Sequence, residues 1–257
     1  MSVTSELQDG IAVIRLERPQ ALNALNPELV GALSQALAAA IAGGQARAVL
    51  ITAAGRAFSA GGDIAYFMAT RRQHGDQAAQ QIGEFMESGG NALVRAIVAA
   101  PLPVVCAVNG PCVGGAVGIA LAADLVLAAR SAYFLVPQVD QLGVVPDFGA
   151  TWVLARLLGR ARALGLSLLG ERIAAERAEQ WGMIWRCVDD DQLSNEALAL
   201  ARRLAARPTA AVVATRALLD ATAADCGGQL ALERATQLRL LQQEQPWQAF
   251  ARFLKKD

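Results

Sequence analysis

The chain holds a single histidine, His74, and its four cysteines (Cys106, Cys112, Cys187 and Cys226) form no CxxC pair. A zinc site of His and Cys therefore lacks ligands at workable spacing, and no metal is expected. The cysteines read instead as reduced thiols, three of them inside apolar runs. Charge of one sign is missing too, since 23 Lys and Arg balance 23 Asp and Glu. Without a basic field a nucleic-acid partner is not expected. The opening MSVTSELQDG has no basic stretch ahead of an apolar core, so no signal peptide is expected. Asp124 and three glycines break the apolar run 113–129, whereas a membrane span wants about 20 apolar residues. A buried helix and strand in a cytoplasmic protein are expected there. Also absent are the phosphate loop GxxxxGK(S/T), a GxGxxG after the first strand and the nucleophile elbow GxSxG. A Ser-His-Asp triad would have to use His74, which lies in the polar stretch RRQHGDQ (71–77).

What is present is apolar and alternating. The 257 residues are 54% hydrophobic, ample for a large core. IAVIRLERP (11–19) alternates like a strand and ends at proline, and Asn26-Pro27-Glu28 reads as the capped start of a helix running to about Ala42. ARAVLITAAG (46–55) and PVVCAVNG (103–110) read as buried strands. The span 64–100 is helical with a polar interruption, and 114–124 is a helix entered through glycines. DLVLAARS (124–131), followed by a short segment at 133–136, and WRCVDD (185–190) read as further strands, with helices at 150–170 and 174–184. Strand, glycine turn and helix alternate, which predicts an α/β architecture. Past Asp191 only amphipathic helices follow, so a core over 1–190 and a helical region over 191–257 are expected. Leu193, Leu198, Leu200 and Leu204 must then bury their faces against the core or against a second copy.

Two glycine turns carry the chemistry. RAFSAGGDI (56–64) follows the strand 46–52, and NGPCVGGAVG (109–118) follows the strand 103–108. Glycine lets main chain approach a ligand closely, and N–H groups at a helix start are unpaired. Side by side, two such turns would aim two donors at one oxygen as negative charge develops on it. Each taken alone also reads as an ordinary strand-to-helix turn.

AFSAGGDI, PLPVVCAVNGPCVGGAVGIALAADLVLA and GRARALGLSLLGERIAAERAEQWGMIWRCVDD, in that order, resemble the enoyl-CoA hydratase/isomerase (crotonase) superfamily. Within it, LGVVPDFGATW and AEQWGMIWRCVDD are most similar to the 1,2-epoxyphenylacetyl-CoA isomerase branch of phenylacetate catabolism. The resemblance implies a crotonase-like spiral of ββα units with a C-terminal helical region, assembled as a homotrimer or hexamer. It implies an acyl-CoA thioester substrate, with coenzyme A arriving as part of it and no separate cofactor. By the same resemblance the thioester oxygen would be held by the N–H groups of Gly62 and Gly115, and the adenine would meet main chain near Ala60 and Asp63.

Departures from the family pattern bear on the reaction. The two glutamates of the family's hydratases map to Gly118 and Val139 in this sequence, so neither is retained in kind. The segment FLVPQVDQLG is one residue longer than usual, which would let Asp140 shift into the second role. Asp147 stands where the phenylacetate-branch isomerases and the related dehalogenases keep a working aspartate. Pro-Asp-Phe-Gly is equally a good turn sequence. Burial beside Val144, Val145, Phe148 and Trp152 would raise its pKa and make it a better base. Glu84, Glu87 and Asn91 are further candidates to face the acyl pocket, and Lys255 and Lys256 to meet CoA phosphates. The expected function is an acyl-CoA isomerase. The alternatives are a hydratase recruiting Asp140 with Asp147, a thioester hydrolase or dehalogenase using Asp147 as nucleophile, and a catalytically silent acyl-CoA-binding subunit.

Overall fold

The computed structural model describes residues 2–221, 226–243 and 246–248; Lys255 and Lys256 lie outside them. The chain opens with a hairpin, β1 (Val3–Gln8) antiparallel to β2 (Ile11–Leu16). The connecting Asp9-Gly10 takes φ of 52° and 77°, the positive values that a two-residue hairpin turn demands. β1 left no hydrophobic signature because only its first residue, Val3, is buried. In α1 (Pro27–Ala42) the Asn26 side chain accepts from Leu29 N at 2.9 Å. Leu29, Val30, Leu33 and Leu37 turn inward at helical spacing. β3 (Ala48–Ala53) lies parallel to β2.

The long helical span breaks into α2 (Ile64–His74), a 3-10 turn (Gly75–Gln77), α3 (Ala78–Phe85), a π-helical turn (Met86–Asn91) and α4 (Ala92–Val98). Then come β4 (Val104–Val108), β5 (Cys112–Val113), α5 (Gly115–Leu121), β6 (Leu125–Ala129) and β7 (Tyr133–Leu135). A second π-helical turn (Gln138–Leu142) leads towards α6 (Ala150–Leu169), β8 (Ile173–Ala174), α7 (Ala175–Gln180) and β9 (Arg186–Val188). The predicted unbroken helix over 150–170 is in fact two pieces. Gly159, at φ 72° and ψ 165°, leaves the helical region in its middle.

Two sheets organise these elements. The larger runs β1-β2-β3-β4-β6-β9, parallel throughout except for the β1–β2 hairpin. The smaller runs β5-β7-β8. Its strands of two or three residues are too short to show a period, which is why β5 and β8 were not foreseen. β4 is buried along its whole length, as expected of a central parallel strand with both faces covered. α1 packs on β1 and β2, and α8 (Leu193–Ala205) packs on β3, β4 and β6. Leu193 and Leu200 are thus buried within the chain itself. α9 (Thr209–Asp220) and α10 (Cys226–Leu241) complete the described helical region.

Candidate active site

The two glycine turns lie at the carboxyl ends of β3 and β4, where ligands gather in parallel sheets. Short main-chain ladders join them: Ser59 bridges Cys112, and Val113 N donates to Ser59 O at 3.0 Å. A Cβ placed on Gly61 would stand 2.7 Å from Val113 O and 3.6 Å from Gly114 Cα. Only glycine permits so close a contact between the turns, and the φ of 87° at Gly61 demands it independently.

Buried Asn23 holds the first turn in place. Its Nδ2 donates to Ala54 O and Ala57 O, each at 2.9 Å, and its main-chain carbonyl accepts from Ser59 Oγ at 2.7 Å. Ser59 Oγ in turn accepts from Gly61 N. The N–H groups around Gly62 are therefore consumed, Ala60 N by Leu22 O and Asp63 N by Leu25 O. That of Gly62 itself has no acceptor among the described residues. The second turn repeats the pattern: Gly114 N donates to Leu135 O, while Gly115 N, opening α5, also has no acceptor among the described residues.

Gly62 and Gly115 line one cavity of about 440 Å3. The other walls are apolar: Leu25, Ile64, Phe67, Met68, Ile82, Phe85, Met86, Leu142, Val144, Val145 and Phe148. Asp147 completes the lining and is its one ionisable residue among the described residues. The carboxylate stands beside the second turn, because a Cβ on Gly115 would come within 2.9 Å of Asp147 Oδ1. Burial pushes its pKa above the ordinary aspartate range. A hydrogen bond from Gln138 Nε2 to Oδ1 at 3.2 Å, and one to the carboxylate from Asp147's own main-chain N–H, pull it part of the way back.

Phe148 sets the direction of Asp147. Its φ of 48° is uncommon for so bulky a residue. Its ring fills space that a Cβ on Gly90 or Gly115 would occupy, and meets Phe85 edge-on at 6.2 Å. Its carbonyl would sit 2.1 Å from any Cβ on Gly118. Position 118 therefore has no room for a side chain while this turn is in place.

Other candidates fall elsewhere. Asp140 is exposed and packs against Gly170, away from the cavity lining. Val139 is half-buried and also outside it. The residue of that segment that reaches Asp147 is Gln138, which the sequence reading passed over because a contact nine positions along depends on the turn between them. Val144 and Val145 are exposed at the cavity wall rather than burying the acid, and Trp152 is not part of that wall. Glu87 is tied to Arg95 at 2.7 Å and to Asn91 at 2.9 Å on the surface, and these bonds hold its carboxyl below the usual range. Asp63 caps α2 through Tyr66 N and pairs with Arg18 at 3.2 Å. Ala60 opens onto a neighbouring cleft of about 240 Å3 with Leu22, Arg56 and Tyr133. Among the described residues no three His, Cys, Asp or Glu side chains gather as a metal site.

Two unpaired amides, one partly buried carboxylate and an apolar chamber form a constellation suited to holding charge on a carbonyl oxygen while a proton moves nearby. The family model for enoyl-CoA hydratase/isomerase matches residues 6–257. The chain belongs to the enoyl-CoA hydratase/isomerase family. It is 42% identical over 207 residues to 1,2-epoxyphenylacetyl-CoA isomerase of Escherichia coli, covering 80% of this chain and 77% of that protein. It is 38% identical over 258 residues to a probable enoyl-CoA hydratase of Rhodobacter capsulatus, covering 99% and 95% of the two. The crystal structure of an enoyl-CoA hydratase from a Polaromonas species superimposes with a TM-score of 0.90 at 34% identity, over 99% of this chain and 97% of that one. The fold is thus the crotonase fold, and an acyl-CoA thioester is the substrate class consistent with the family. No helix among the described residues is long and apolar enough to cross a membrane.

Proposed function

We propose that the protein is an acyl-CoA isomerase, shifting a double bond or opening a ring in an enoyl-CoA-type thioester. The N–H groups of Gly62 and Gly115 hold the thioester oxygen as enolate charge develops, and Asp147 moves the proton. The observation that carries this reading is at position 118, where a Cβ would meet Phe148 O at 2.1 Å. A second acid cannot enter from that side, so Asp147 works alone. One carboxylate suffices to take a proton from one carbon and return it to another, whereas water addition needs a second group to position the water. The raised pKa favours that use, since it leaves Asp147 a stronger base.

Phe67, Phe85 and Phe148 in the cavity wall suit an apolar or aromatic-derived acyl group. Such a group would suit phenylacetate catabolism, the setting of the branch the sequence resembles. The adenine is proposed to lie near Ala60 and Asp63; both N–H groups are already engaged, so its amino group would meet a carbonyl there. Coenzyme A enters as part of the substrate and no further cofactor is invoked. A cytoplasmic homotrimer or hexamer completes the proposal. A hydratase drawing on Asp140 would need that residue to leave its seat against Gly170.

Incubation with 3-enoyl-CoA and 2-enoyl-CoA, followed by ultraviolet absorbance and mass, separates isomerisation from gain of water. Thiol release would reveal hydrolysis. Asp147→Asn is expected to lower isomerisation by about a hundred- to ten-thousandfold with acyl-CoA binding retained. Turnover unchanged in that variant sinks the assignment, and acyl-CoA binding with no turnover of any thioester would indicate a silent subunit.

A further inference from the structure

Gln138 is 4% exposed, begins the second π-helical turn, and has a feature the mechanism above does not use. Its Nε2 donates to Asp147 Oδ1, but its Oε1 is buried with no hydrogen-bond partner among the described residues. Buried amide oxygens are almost always paired, because leaving one dry and unbonded is costly. The main chain of Gln138 is firmly anchored, its carbonyl accepting from Gly143 N and Val144 N. The terminal amide torsion is the soft one, with two broad orientations that exchange oxygen and nitrogen. An amide is also uncharged, and it donates on one side while accepting on the other.

We propose that Gln138 is a positioning residue for Asp147, presenting Nε2 to the carboxylate and, after a half-turn of the amide, Oε1 to the protonated acid. The inference rests on the reading of Asp147 as the proton carrier. In the first half-reaction a substrate C–H bond breaks, its electron pair passes into the thioester enolate, and an O–H bond forms on Asp147. The carboxyl then has a hydrogen to place, for which Nε2 is the wrong partner and the unpaired Oε1 the right one. In the second half-reaction that O–H bond breaks, the proton joins another carbon, and the amide turns back to meet the carboxylate. One neutral side chain thereby aims the acid in both protonation states without adding charge to an apolar chamber.

Among the described residues no other ionisable group competes for the role. Among the described residues, the titratable or charged side chains on neighbouring elements include Asp63 capping α2, Tyr66, Arg71, Arg72 and His74 on α2, Glu84 on α3, Glu87 in the turn after it, Arg95 on α4, Cys112 on β5, Asp140 on the turn of Gln138 itself, and Arg156, Arg160 and Arg162 on α6. None of them lines the cavity, and no charged neighbour contributes to the shift at Asp147, which comes from burial, Gln138 and its own main chain.

The test is the pH dependence of isomerisation in Gln138→Leu and Gln138→Glu, with binding of a saturated acyl-CoA as the control. Gln138→Leu, similar in bulk but unable to bond, is expected to lose roughly tenfold to a hundredfold in kcat with KM within about twofold. The acid limb of its kcat profile should move to higher pH, because the charge-assisted bond lost by the carboxylate is stronger than the neutral bond lost by the protonated acid. Gln138→Glu places two carboxyls side by side, so that they share a proton, and should move the limb in the same direction and further. A limb unmoved in either folded variant, while Asp147→Asn is inactive, overturns the role of Gln138 and leaves the isomerase intact. Full turnover in Asp147→Asn would instead remove the proton carrier, and Gln138's role with it.

Discussion

At the scale of single residues, the site trades stability for chemistry. Asp147 sits in surroundings that oppose ionisation, and its native pKa lies above that of the unfolded chain. The native state therefore binds the proton more tightly. Stability falls as pH rises from the ordinary aspartate value of about 3.9 through the raised native value. Asp147→Asn is accordingly expected to raise the melting temperature at pH 7, with the gain shrinking as pH drops to about 3.9 or below. Thermal melts of both proteins across that range check it. Phe148 adds to the same cost: a bulky residue at φ 48° is strained, and such strain persists only where packing over-determines it. Gly90, Gly115 and Gly118 make room for its ring and carbonyl. Asp147 was a candidate from its place after Gly143, but nothing in the sequence indicated that the next residue would be held left-handed to aim it.

Between elements, the site is made by α5 closing against the 146–149 turn. α5 is buried along its entire length, and three of its boundary and interior positions are glycine: Gly114, Gly115 and Gly118. Gly114 takes φ 59°, and the other two are required by contact. Gly118→Ala is expected to destabilise the fold by about 1–3 kcal/mol, read from urea unfolding. It should also lower kcat, because Phe148 O must retreat and Asp147 moves with it. Retention of full stability and activity would show that the turn is loose and that a side chain is tolerated at 118. The glycine-rich turns and the order of strands and helices were legible because glycine and hydrophobic period leave marks in sequence. The two π-helical turns, Met86–Asn91 and Gln138–Leu142, leave none. The second of them moves Gln138, rather than Val139 or Asp140, next to Asp147.

Across the whole molecule, the helical region is clasped to the sheet by a partly buried ion pair. Arg216 on α9 bonds both oxygens of Asp124, at 2.6 and 2.7 Å, and donates to Val98 O, Ala100 O and Leu102 O. Asp124 also accepts from Val104 N, so one carboxylate ties β4 to α9. In the sequence it was only the charge interrupting an apolar run. Large apolar side chains remain outside: Trp152, Leu168 and Leu169 on α6, Trp185 before β9 and Leu219 on α9, the last 80% exposed. A homotrimer or hexamer would cover such surface. Light scattering is expected to return three or six times the 26.9 kDa chain mass; a monomer at micromolar concentration would refute that assembly.

By itself the sequence determined the α/β alternation, the capped start of α1, the glycine turns after β3 and β4, and Asp147 as a candidate acid. Each of these rests on local chemistry, whether periodicity, capping or the conformational range of glycine. Only the tertiary structure decided which groups share a chamber. It brought Gly62, Gly115 and Asp147 together, sent Asp140 to Gly170, set Gln138 beneath the acid, and filled the space at 118 with the Phe148 carbonyl. Those outcomes depend on where a turn directs the chain after it, and a shift of one residue there moves a side chain to another face.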